Sequence, residues 1–112
     1  MNHRSLRVGE LLRDEISIMI ERDIEVPGAL LTVTTVEVDK KLEHAKVGVS
    51  VLPTSKTEEV FRLLRAVQGK FQYLLMKKIN IKPLPRIEFV IDRGPEHAAD
   101  IEKILLKEDN NE

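Results

Sequence analysis

Apolar residues recur along this chain at spacings that change from segment to segment, and the spacing predicts the elements. Over residues 5–22, Val8, Leu11, Leu12, Ile16, Met19 and Ile20 fall three and four apart, which makes one stripe of an α-helix. Ser5 stands where it can cap the helix start, and Gly9 suggests close packing against a neighbour. Val26-Pro27-Gly28 then turns the chain. Residues 31–38 are rich in β-branched side chains and predict a strand. Its alternation slips at Thr34–Thr35, as expected of a bulge or of a strand covered on both faces. Residues 45–51 alternate cleanly, with Ala45, Val47, Val49 and Val51 on one face, and a hairpin loop, DKKLEH, joins the two strands.

Pro53 stops the second strand, and Ser55 with Glu58 fits a capping box. Val60, Leu63, Leu64 and Val67 follow at helical spacing. Gly69 interrupts the pattern, and Phe71, Leu74 and Leu75 resume it up to Lys77 and Lys78. After Pro83 and Pro85, residues 86–92 alternate again through Ile87, Phe89 and Ile91. A weakly amphipathic segment through Ile101, Ile104 and Leu105 precedes KEDNNE. The predicted order is helix, strand, strand, helix, break, helix, strand. That order predicts an α+β domain of two layers, a three-stranded sheet with its helices packed on one face. One domain is expected over residues 1–107, with a disordered acidic tail at 108–112.

Charge changes this picture more than composition does. The chain has 112 residues, 42% of them apolar, and no cysteine, so a disulfide framework and thiolate chemistry are excluded. No apolar run reaches the ~18 residues of a membrane span, and MNHRSLRVGELLRDE lacks the apolar core of a signal peptide. A cytoplasmic protein is expected. The net charge is −1, yet no acidic residue lies between Glu59 and Glu88. That interval holds Arg62, Arg65, Lys70, Lys77, Lys78, Lys82 and Arg86, a block of +7 that leaves −8 for the remainder. Such separation is the footprint of a polyanion partner.

Other chemistry is thin. His97 and Asp100 have metal-ligand spacing but no third partner, and no metal or other cofactor is expected. No phosphate-binding glycine loop is present, and no serine sits in a nucleophile elbow, so the residues argue against an enzyme. Phe61, Phe71 and Phe89 are assigned to the core, and Tyr73 to a partly packed position. With four aromatic residues in all, a base-stacking platform is not expected.

The helix–break–helix gives the cations a geometry. A helix starting after Gly69 would present free N–H groups to a phosphate, with Arg62, Arg65 and Lys70 beside it. The element order is that of a type II KH fold, whose members clamp nucleic-acid backbone at a glycine-containing turn between two helices. Here the turn reads Ala66-Val67-Gln68-Gly69-Lys70, without the two glycines that flank a pair of residues in an ordinary KH clamp.

Three segments, RVGELLRDEIS at 7–17, LTVTTVEVDKKLEHAKVGVSVL at 31–52 and RAVQGKFQYLLMKKINIKPLPRIEFVID at 65–92, resemble the ribosome-binding factor A family of bacterial assembly factors. The resemblance spans roughly residues 4–106. It implies a KH-like fold with an Ala-x-Gly helix kink, in which Gly69 takes the glycine, Val67 the alanine position, and Ala66 falls one residue early. It also implies binding to the small ribosomal subunit and its rRNA and support of late maturation, including 5′-end processing. Cold adaptation, and contacts with ribosomal proteins or other assembly factors, are implied as well. A monomer without catalytic activity is expected. RNA contacts are expected from Arg62, Arg65, Gly69, Lys70, Lys77, Lys78, Lys82 and Arg86, extended by Arg4, Arg7 and Arg13. Helical geometry prevents all of them from facing one surface. The rival readings are a KH-like binder of another RNA and a ferredoxin-like protein-interaction domain.

Overall fold

The computed structural model describes residues 3–94. Helix α1 spans His3–Asp23, strand β1 Leu30–Val38, strand β2 His44–Leu52, helix α2 Thr57–Lys78 and strand β3 Arg86–Ile91. A 3-10 turn, Thr54–Lys56, precedes α2. The sheet has the order β1-β2-β3, with β1 antiparallel and β3 parallel to the central β2. The parallel β2–β3 pair requires a crossover, and α2 supplies it. The α+β class and the three-stranded sheet are as the sequence predicts.

The core lies between the helices and one face of the sheet. Ala45, Val47, Val49 and Val51 of β2 are buried there, as their alternation requires, together with Val33, Ile87 and Phe89 from the flanking strands. From the helices come Leu12, Ile16, Val60, Leu64, Phe71 and Leu75, all fully buried. Each such side chain contributes about 1.5–3 kcal/mol through removal from water. The register slips between Val33 and Thr35, so the expected bulge is present. Gly48 sits opposite it, and a Cβ there would lie 2.6 Å from the Thr35 hydroxyl oxygen. Gly9 likewise lets α1 approach β1, with a Cβ position only 3.0 Å from the Val36 carbonyl oxygen.

Three local expectations are corrected. Ser5 does not cap α1, because the helix already includes it. The Ser55–Glu58 capping box does not form; those residues are divided between the 3-10 turn and α2, and no side chain caps the α2 start. The break at Gly69 is absent. Residues 57–78 form one helix, so among the described residues the order has two long helices rather than three, and no helix N-terminus opens at Gly69. Glycine costs a helix about 1 kcal/mol relative to alanine, which is less than the burial of Leu64 before it and Phe71 and Leu75 after it contributes.

Gly69 is exposed, and a Cβ there would meet nothing within 4 Å. Gly69→Ala should therefore stabilise the fold by about 0.5–1 kcal/mol, whereas Gly48→Ala should destabilise it through the Thr35 contact. Thermal melts of the two variants check this contrast, and a lowered melting temperature for Gly69→Ala would contradict it.

Among the described residues, no helix is long and apolar enough to cross a membrane. His97, Asp100, the segment through Ile101, Ile104 and Leu105, and the tail at 108–112 lie outside the described residues.

Candidate nucleic-acid interface

A helix advances 100° per residue, so the cations of α2 leave it in different directions. Phe61, Arg65, Gln68 and Gln72 share the flank that faces β3. The two glutamines bond to that strand's open edge. The Ile87 amide donates to Gln72 Oε1 at 2.8 Å, and Gln72 Nε2 donates to the Pro85 carbonyl at 3.0 Å. The Phe89 amide donates to Gln68 Oε1 at 3.3 Å. These bonds satisfy N–H groups that an edge strand would otherwise present to another chain. Phe71 packs edge-on against Phe89, with ring centroids 6.2 Å apart, and holds α2 to β3 from the core side.

Outside this seam lies an open groove of about 490 Å³. Arg65 from α2, Arg86 from β3, and Lys46 and His44 from β2 line it, with Phe61 and Glu88. The Arg65 guanidinium stands 5.9 Å above the Phe61 ring. Phe61 is thus half-buried, packed against the edge of the core and lining the groove, so its core assignment holds only in part. In the sheet register Lys46 neighbours Glu37 on one side and Glu88 on the other, and His44 neighbours Arg86. Two arginines from distant parts of the chain therefore face one cleft. Arg62, a turn before Arg65, and Lys82, in the α2–β3 connection, are exposed.

The remaining expected contacts are dispersed. Lys70 and Lys78 turn toward α1. Lys70 Nζ lies 3.6 Å from Asp23 Oδ2, and Lys78 Nζ lies 2.6 Å from Glu15 Oε2. Lys77 lies 4.8 Å over the ring of Tyr73. Tyr73 is 55% exposed rather than partly packed. Arg13 points to the opposite edge of the sheet, where Nη2 makes a long 3.5 Å contact with the Val33 carbonyl. Arg4 and Arg7 are exposed near the start of α1. Gly69, with Ala66, Val67 and Gln68, lies inside α2 and offers no free amides. Lys46 and His44 in the groove were not expected, since only the β2–β3 register brings them beside Arg86.

Carboxylates elsewhere are committed to the fold. Asp23 is held below its ordinary pKa chiefly by hydrogen bonds from Arg22, with the Arg22 and Lys70 charges adding to this against a desolvation cost. At Asp39 desolvation pushes upward, but hydrogen bonds from the Glu43 and His44 amides outweigh it and lower the pKa. Those bonds close the hairpin loop. Asp92 is lowered by the Thr34 hydroxyl and the Gly94 amide. All three stabilise the fold above the ordinary carboxylate value of 3.8. That contribution is lost as the pH falls through their lowered values.

Comparisons with known proteins agree with this architecture. A family model described as ribosome-binding factor A matches residues 4–105. A ribosome-binding factor A of Akkermansia muciniphila is 33% identical over 99% of this chain and 89% of its own length. The crystal structure of ribosome-binding factor A from Thermus thermophilus shares the fold with a TM-score of 0.67, at 24% identity, covering 80% of this chain and 98% of that one. A second similar structure, with a TM-score of 0.59 at 24% identity, covers 83% of this chain and 96% of the other. It is a homology model of the T. thermophilus factor fitted into a cryo-electron microscopy map of a 30S complex.

Proposed function

The chain belongs to the ribosome-binding factor A family, and from that premise we propose that it binds the small ribosomal subunit through rRNA phosphates at the α2–β3 groove. The observation that carries the site is the convergence of Arg65, Arg86 and Lys46 on one cleft. The exposed Arg62 and Lys82 supply further contacts outside the groove. Arginine donors suit phosphate because the planar guanidinium can bond two oxygens at once. Phosphate contacts position a protein on RNA without reading its sequence. Selectivity then comes from the shape of the folded rRNA and neighbouring proteins. Five such contacts would weaken binding about 10²–10³-fold between 50 and 200 mM salt through counterion release.

The action proposed is binding without turnover, by a cytoplasmic monomer that needs no cofactor. The protein supports late maturation of the subunit, including 5′-end processing of its RNA. It does so by favouring one of two positions of an rRNA helix, because it binds the two positions with different free energies.

The absence of native cysteine allows a direct test. A cysteine at Glu88 in the groove, or at Glu21 on the far flank of α1, can carry an RNA-cleaving reagent. Cleavage of small-subunit rRNA should cluster near one region from position 88 and be weaker from position 21. Equal cleavage from both, or stronger cleavage from 21, would count against the groove.

A further inference from the structure

The sequence places seven cations between Glu59 and Glu88, yet the fold does not leave them equally available. Lys70 and Lys78 both lean on carboxylates of α1, and the two pairs differ. Glu15 is largely buried, its side chain 18% exposed, and its Oε2 is shielded from solvent. The Lys78 ammonium lies 2.6 Å from this oxygen. Pulling Lys78 away would strip the counter-charge from a largely buried carboxylate, a costly state. Asp23, by contrast, already accepts bonds from Arg22 at 3.0 and 3.2 Å. Lys70, 3.6 Å from Asp23, can leave without orphaning it.

We propose that Glu15 is a specificity-determining residue that withholds Lys78 from RNA, while Lys70 stays releasable. Glu15 occupies the place that a phosphate would take beside Lys78. It thereby keeps the α1–α2 seam from becoming a second, shape-blind RNA-binding face, and leaves the β3 side of α2 as the contact surface. This inference rests on the RNA-binding reading above and adds a restraint to it.

The test is the salt dependence of binding to an unstructured RNA oligonucleotide and to purified small subunits. Each added phosphate contact steepens the slope of log K against log salt by about 0.7–0.9 and raises affinity about five- to tenfold near 0.1 M salt. Glu15→Gln should show both changes toward the oligonucleotide. Glu15→Ala provides a second route should the glutamine retain the lysine through its carbonyl. Glu21→Gln makes the same charge change beside β1, where no lysine is released, and should leave the slope unaltered. In a Lys78→Met background, Glu15→Gln should change nothing further.

Folded Glu15→Gln and Glu15→Ala proteins with the wild-type slope would overturn the inference while leaving the groove reading intact. A Glu15→Gln effect that persists without Lys78 would overturn it too, because it would then be long-range charge. If neither RNA nor subunits bind the wild type or any variant, the functional reading fails, and this inference fails with it.

Discussion

Phe71→Ala is expected to cost about 3–5 kcal/mol of folding free energy, the range for emptying a large aromatic site in a packed core. Phe71 is fully buried in the middle of α2, and its ring meets Phe89 of β3 at an interplanar angle of 72°. Truncation removes the transfer free energy of the ring and leaves a cavity that the sheet and helix cannot both close. A domain of this size has about 5–15 kcal/mol to lose, and the melting temperature should fall by about 15 °C or more. Phe71→Leu fills most of the space and should cost less. It still loosens the α2–β3 contact, so at temperatures where it is folded it should bind RNA more weakly than the wild type although no cation has been removed. A fall in melting temperature below about 5 °C for Phe71→Ala would mean that the ring is not the keystone of this seam.

Arg65→Glu combined with Arg86→Glu should have the largest effect on binding. Both side chains are exposed, so stability should barely change, because exposed charges contribute little to folding. The two reversals remove two phosphate contacts and add repulsion. The salt slope should drop by about two, and affinity near 0.1 M salt should fall on the order of 10²-fold. The matched control reverses Arg4 and Arg7, which lie at the start of the other helix, and should lose much less. Equal losses in the two double variants would mean that net charge, not the groove, governs binding.

Much of the fold is legible in the sequence because burial imposes a period on it. The Ala45, Val47, Val49, Val51 alternation names the core face of β2 directly, and the slip at Thr34–Thr35 marks the bulge that Gly48 accommodates. Helix continuity at Gly69 is not legible in this way. A single glycine reads locally as a stop, but Leu64, Phe71 and Leu75 bury one continuous stripe and carry the helix through it. The 3-10 turn at Thr54–Lys56 displaces the capping box for a similar reason, since the backbone path after β2 is set by the rest of the fold.

The interface is only half legible. Charge counting finds the +7 block but not how it divides, since helical geometry disperses the cations of α2 while Lys82 and Arg86 lie beyond the helix. It misses Lys46 and His44, which belong to a different segment and join Arg86 only through strand pairing. It also misses Gln68 and Gln72, whose four-residue spacing matters because β3 has an open edge beside them. Neither glutamine carries charge, so nothing in composition points to them.

The most direct test of the central claim is co-sedimentation of the purified protein with small subunits, large subunits and assembled ribosomes at 50 and 200 mM salt. Binding through rRNA phosphates on the small subunit predicts pelleting with that particle alone, falling steeply at the higher salt. Equal pelleting with every particle, or pelleting that salt does not weaken, would contradict it.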